Sequence, residues 1–431
     1  MRAPAGRPAF YDRYTAHHHL RAVAGLGVVG AIFLPNAELA RRTLGASPWH
    51  IGALFLIPAL AQTLVVIRNP VDPRRGWIRH PFRRLAVPVF LLLLLPLLGL
   101  LPAGPLPFIL LVALCTAVQM VLVPVQNGVL ASNYDAATRG GRFGVANRVQ
   151  ALAIAAVCLP AGWVLTRWPG AWPAIYAVAG VAGAYGYLHW SRLKRRRPPA
   201  PTSAAEAQMA PWQTLFRDRR FLAFEGCFML YGLGFIMLLP TLPIYLVDEL
   251  QVSYAEINVA KGFLFFVIMV IAGPFLGRLT DRIGVLQLNV LSFLTLALFP
   301  AALWVLDGAV GMYVGYAIFG LAMSGVFLGW SLGPIHIAGD RDPAPYLDAH
   351  LGLVGVRSLV AILGGLWLQQ QLGTRAVLAC VIVLEVLAAL GMHLLARSTG
   401  APPAAPVHPE ADERLASRFP GDPSRSQQAA R

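Results

Sequence analysis

Glu225, Lys261, Arg357 and Glu385 lie inside long apolar runs of this sequence. A charge at membrane depth is costly, so each is a functional candidate until a partner explains it. Glu225, one turn into its run and followed by Tyr231, fits a protonation site or an interfacial carboxylate reaching out to water. Arg357 stands about 10 Å inside its run at the helical rise. It either binds an anionic substrate or pairs with Asp348 or Asp281, and the structural role is preferred. Lys261, one of two lysines in the chain, has Glu249 and Glu256 nearby. A gate ion pair is one reading; a solvated collar is preferred, because a lysine near a helix end snorkels easily. Glu385 is expected to pack against neighbouring helices rather than line a cavity. Gln126, Asn127, Trp330 and His336 supply amides, an aromatic face and an imidazole. That set suits a polar organic ligand and equally suits bonds between helices.

Covalent chemistry lacks its usual parts. His17, His18 and His19 have no carboxylate at ligand spacing, and no H-x-x-x-x-D, H-E-x-x-H, G-x-S-x-G or phosphate-cradling loop occurs. Cys115, Cys158, Cys227 and Cys380 sit in apolar runs as small buried hydrophobes without metal spacing. We therefore expect no enzyme, no cofactor and no metal. A membrane transferase and a transporter-like sensor stand as the competing classes, and an ATP-driven pump is disfavoured.

The elements that must position these residues follow from composition. Of 431 residues 57% are hydrophobic and 13% charged, too little charge to solvate a soluble surface. Apolar runs near twenty residues match the hydrocarbon core, where unpaired backbone groups force helix. Hydropathy places spans near 21–36, 48–67, 85–101, 106–131, 146–166 and 171–191, then 221–246, 257–276, 284–305, 309–331, 351–371 and 376–396. The fold class expected is all-α, with twelve transmembrane helices. Of the 35 Lys and Arg, 29 fall in the two termini and alternate connections, and four, Arg41, Arg42, Arg167 and Arg375, in the others. Basic connections stay cytoplasmic. Both termini are therefore expected in the cytoplasm, and the net charge of +15 is a topology signal, with some attraction to anionic lipid, rather than a nucleic-acid surface.

The Pro/Ala/Ser-rich stretch after Lys194-Arg195-Arg196-Arg197 reads as a linker. The division expected is a cytoplasmic segment 1–20, a six-helix bundle 21–193, a linker 194–218, a second bundle 219–397 and a disordered tail 398–431. An offset of 203 residues relates Phe143 and Asn147, leading into the fifth span, to Tyr346 and His350, leading into the eleventh. Such parallel repeats place a substrate site between the halves near mid-membrane.

Gly273 to Gly284 reads G-P-F-L-G-R-L-T-D-R-I-G. With Gly277, Asp281, Arg282 and Gly284 it resembles the G-x-L-x-D-R-x-G signature of the major facilitator superfamily, in the connection between spans eight and nine. Gly277 would permit close helix approach and Gly284 a tight start to the ninth helix. Asp281 would sit on the positive end of the fifth helix, amid Arg142 and Arg148. The resemblance implies two six-helix bundles and secondary transport of a small molecule by alternating access, in a bacterial inner membrane, by a monomer. Departures are visible: Val285-Leu286 replaces the family's basic pair, the 68–84 connection lacks the signature, and the fourth span lacks an Arg. Proton coupling therefore stays open. Asn133-Tyr134 with Arg139 to Arg142, and Tyr346, His350 and Gly355 to Arg357, look similar to a branch of bacterial facilitators of mostly unassigned substrate. Pro160-Ala161-Gly162 is similar to the Gly/Pro motif of antiporter members, which implies export.

Overall fold

The computed structural model describes residues 6–67, 81–102, 104–134, 136–195, 218–341 and 344–398. Most of the basic 68–84 connection, most of the 194–218 linker and the tail from 399 lie outside the described residues. Helix is the only regular structure among those described. The order is α1 (Gly6–Phe33), α2 (Asn36–Arg42), α3 (Pro48–Ile67), α4 (Val87–Leu91), α5 (Pro105–Asn133), α6 (Ala136–Arg167) and α7 (Trp172–Ser191). The second set is α8 (Arg219–Ile244), α9 (Tyr254–Asn258), α10 (Phe265–Ile283), α11 (Val285–Val305), α12 (Gly308–Ala338) and α13 (Ala344–Ser398). Eight described helical stretches are long and apolar enough to cross a membrane. The last carries both final spans, separated where Gly373 turns to φ 82°, a conformation that costs glycine little.

Two boundaries differ from hydropathy. α1 starts at Gly6, well ahead of residue 21, because its polar residues find partners inside the bundle. Asp12 pairs with Arg142, Thr15 accepts from Asn133 Nδ2, His18 meets His189, and His19 meets Tyr134. The third span is broken into a π turn (Phe82–Ala86), α4 and a 3-10 turn (Leu92–Leu94). Pro88 and Pro96 each remove an N–H that a continuous helix would need.

α1 packs on α6 and α7, and α3 on α5; α8 packs on α13, and α11 on α12 and α13. Among the described residues, α1 to α7 thus group into a first bundle and α8 to α13 into a second. Within the second, α8 and the first limb of α13 run parallel in one register. Phe221 meets Tyr346 at 4.7 Å between ring centroids, Glu225 meets His350 at 2.8 Å, and Gly232 faces Arg357. A Cβ at Gly232 would lie 2.0 Å from the Arg357 guanidinium carbon, so glycine here makes room for a buried cation. Asp218 caps α8 by accepting from the Arg220 and Phe221 amides. Burial alone would push its carboxyl up, but the Phe221 amide, Arg341 and Tyr346 outweigh that and hold it below the ordinary carboxylate range.

The two bundles meet along two antiparallel seams. Along α3 and α13, Gly52 faces Leu366 and Thr63 faces Gly355; along α6 and α9, Gly162 faces Asn258, and Cys158 faces Gly262 just beyond α9. Small residues let the backbones approach, as helix packing in lipid requires.

Candidate functional site

The end of the molecule where α1 finishes and α3 starts is here called the far end, and the opposite one the near end. The seam is closed at the far end by polar contacts between the bundles. Arg41 of α2 grips Asp248 with Nε and Nη2, at 2.7–3.1 Å. Arg42 donates to the Val252 carbonyl at 2.6 Å and lies over the Tyr254 ring, and Thr43 bonds the Tyr254 hydroxyl. Ala255 donates its amide to Thr166 at the end of α6, and Asn258 donates to the Cys158 carbonyl at 2.8 Å. Beneath them Lys261 pairs with Glu38, which is fully buried. Ion pairs crossing between the bundles, among the described residues, lie only at this end: Arg41–Asp248 and Lys261–Glu38.

Below this closure a central cavity of about 460 Å³ opens between the bundles. Apolar side chains from α1, α3, α5 and α8 form most of its wall, including Phe33, Phe55, Met120 and Leu239. Gln62, Thr116, Gln119, Tyr316 and Ser358 add hydrogen-bonding groups, and Lys261 brings its charge to the rim. Pro58 and Pro243 also line the cavity, from within α3 and α8. A second cavity of about 800 Å³ lies between the bundles toward the near end, lined by Asn127, Asn147, Gln150, Met269, Trp330 and His350 among others. Asn147 and His350, related by the 203-residue offset, thus face one space from opposite bundles.

The site residues expected from sequence separate into groups. Asn127 and Trp330 line the near-end cavity, and Trp330 meets the His350 ring edge-on at 5.7 Å. Gln126 instead turns to Tyr187 within the first bundle. His336 is exposed and lines neither cavity. Glu225 is buried at 1% exposure and bonded to His350, so it is not an interfacial carboxylate reaching water. Arg357 is buried and forms no ion pair with Asp281; it donates to the Phe228 carbonyl and lies over the Tyr231 ring at 5.3 Å. The Asp348 side chain lies outside the described residues.

Lys261 departs most from expectation. It is no solvated collar with Glu249 and Glu256, because Glu256 closes a capping box with Ser253 and Glu249 accepts from Thr374. Its partner Glu38 lies 223 positions away, and no local spacing announces that pair. Arg41 with Asp248 was missed for the same reason.

In the signature, Gly284 takes φ 81° and joins α10 to α11, as a tight start requires. A Cβ at Gly277 would meet nothing within 4 Å, so close approach is not its contribution in this conformation. Asp281 and Arg282 are exposed, and neither forms an ion pair among the described residues. Arg142 is taken by Asp12 and Arg148 donates to the Gly144 carbonyl.

Crystal structures of the nucleoside transporter NupG share this fold. One aligns with a TM-score of 0.63 at 14% identity, covering 88% of this chain and 98% of that one. The crystal structure of a bacterial homolog to the human lysosomal transporter Spinster aligns with a TM-score of 0.61 at 14% identity, covering 92% and 98%. At such identity the likeness speaks for the fold alone. Among curated proteins, the multidrug resistance protein MdtG of Rahnella sp. (strain Y9602) is 39% identical over 87 residues, 19% of this chain and 21% of that one. MdtG of Yersinia enterocolitica serotype O:8 / biotype 1B (strain NCTC 13174 / 8081) is 39% identical over 79 residues, 17% and 19%. The chain thus spans about a fifth of the length of these curated relatives. The profile of the Major Facilitator Superfamily matches residues 21–342. That match runs from α1 through α12 and covers well over half of the chain, and the chain belongs to the Major Facilitator Superfamily.

Proposed function

We propose that this protein carries a small organic molecule across a bacterial inner membrane by alternating access, with the near end in the cytoplasm. The observation that carries the reading is a central cavity between two bundles, sealed at the far end by ion pairs that cross the seam. Such a seal has use only if it opens. The near-end connections hold Arg139, Arg142, Arg148, Arg278, Arg282 and Arg341, and the far-end ones Arg41, Arg42, Arg167 and Arg375, which supports the orientation. The conformation is then inward-facing, the state named for the Spinster homolog. Both cavity walls come from one chain, so a monomer suffices.

A mostly apolar cavity of this volume with scattered amides and hydroxyls suits an amphipathic molecule of drug size. The multidrug resistance name of the partial relatives supports export of such compounds. The test uses the doubly substituted chain Arg41→Cys with Asp248→Cys in proteoliposomes, with ethidium and uridine as probes. Counterflow of at least one probe is expected, and cross-linking the two thiols should abolish it until reduction restores it. Transport that continues through the cross-link would refute the far-end gate.

The 277–284 signature acts, in this reading, when the near end closes and Asp281 approaches the opposite bundle. Asp281→Asn should reduce the rate severalfold with expression preserved. Unchanged kinetics in that variant would remove the gating role.

A further inference from the structure

The second bundle encloses ionisable groups that the far-end closure does not use. Glu225 and His350 are each 1% exposed, Glu385 is 0% and Arg357 is 6%. His350 Nδ1 lies 2.8 Å from Glu225 Oε1. Glu225 and Gly232 are seven residues apart on α8, and His350 and Arg357 are seven apart on α13, so the pair and the guanidinium occupy one helical face. Tyr231 lies against the guanidinium and within electrostatic reach of both Glu225 and Glu385. Glu385 projects from the second limb of α13 toward Gly234, 3.3 Å from where a Cβ there would be. Several polar atoms in this group have no hydrogen-bond partner: both Glu385 oxygens, Glu225 Oε2, Arg357 Nε and His350 Nε2.

We propose that Glu225, His350, Arg357 and Glu385 form a proton-binding site, loaded from the near-end cavity through His350. The argument is charge balance in a medium where an uncompensated charge is expensive. Arg357 is always cationic and neutralises one carboxylate. The other is neutralised only if one proton stays in the group, and Glu385, whose two oxygens have no hydrogen-bond partner, holds it. Among the described residues, the other facing elements offer no substitute. α11 presents Phe293, stacked on Tyr231 at 4.6 Å, and α12 presents Trp330. The Asp218, Arg341 and Tyr346 group is closed on itself toward the near end. His350 sets the group beside the near-end cavity, because it lines that cavity while its Nδ1 touches Glu225. A proton taken from cavity water by the imidazole passes to a carboxylate, and loss reverses that path. Use of the proton to drive transport rests on the transporter reading; the site itself does not.

The experiment is an infrared pH titration of the full chain in detergent micelles, following the carbonyl stretch of neutral carboxylic acid. A band that disappears as pH rises is expected, and its difference from that of the Glu385→Gln chain should amount to about one proton. Glu385→Gln should remove it and His350→Gln should shift its midpoint. Glutamine mimics the neutral acid and leaves Arg357 balanced by Glu225, so that variant keeps its charge balance, and the unsubstituted chain provides a titration that needs no variant. A wild-type chain without a titrating band overturns the proposal. So does a band that survives both Glu225→Gln and Glu385→Gln. No substrate is used, so failure here overturns the proton site alone, whereas failure of the ethidium and uridine assay overturns the transporter reading alone.

Discussion

Lys261→Leu should destabilise the closed far end by about 3–5 kcal/mol, the range for removing one partner of a buried ion pair. Glu38 is fully buried and Lys261 supplies its ion pair, so the substitution strands an anion at the seam. The other far-end contacts would remain, among them Arg41 on Asp248, Arg42 on Val252 and Asn258 on Cys158. None delivers a cation to Glu38. Opening the far end relieves the stranded charge by letting water reach it. A cysteine at Ala37, now 3% exposed beside the central cavity, should therefore react faster with a membrane-impermeant thiol reagent applied from the far side. A shift of 3 kcal/mol corresponds to roughly a hundredfold change in the open-to-closed ratio. Adding Glu38→Gln removes the stranded anion and should recover thermal stability to within about 1 kcal/mol. Equal melting temperatures for Lys261→Leu and the parent chain would show that the pair contributes nothing to closure.

Gly162→Val should block closure by steric means and leave each bundle folded. A Cβ at Gly162 would lie 2.8 Å from Asn258 Cβ and Nδ2 and 2.9 Å from the Tyr254 carbonyl oxygen. A backbone oxygen cannot rotate away, so α6 and α9 would have to separate. Separation also stretches the Asn258–Cys158 hydrogen bond, the Ala255–Thr166 bond and the Cys158 contact with Gly262. Overpacking of about 1–3 kcal/mol with the loss of a buried hydrogen bond worth about 1 kcal/mol falls on the closed state alone. Counterflow of the probes should drop by an order of magnitude or more, with solubility and the circular dichroism spectrum unchanged. Retention of full transport would mean that the α6–α9 seam opens and closes without close backbone contact.

Gly162 also shows what short motifs carried. Pro160-Ala161-Gly162 was legible as a Gly/Pro pattern in a membrane helix, and the structure places that glycine at the seam between bundles. The 273–284 segment was legible as a family signature, and Gly284 adopts the positive φ that its position demands. Glu225 and Arg357 stood out as charges within apolar runs. Their partners did not, because His350 and the Phe228 carbonyl become neighbours only when α8 and α13 align in parallel register. His336 shares a helix with Trp330, yet the step of six residues from one to the other turns it away from the cavity that Trp330 lines. The third span looked like a plain apolar run, and proline placement broke it into turns.

Composition and hydropathy by themselves determined that this chain folds as membrane-spanning helices. Lipid permits no unpaired backbone, and each span satisfies its own hydrogen bonds locally. Those are short-range conditions, written in consecutive residues. The far-end closure and the buried group around Arg357 were decided only by tertiary structure. Glu38 and Lys261 are ordinary residues until two seams bring them together, and in a low-dielectric interior a charge acquires its meaning from the opposite charge that packing sets beside it.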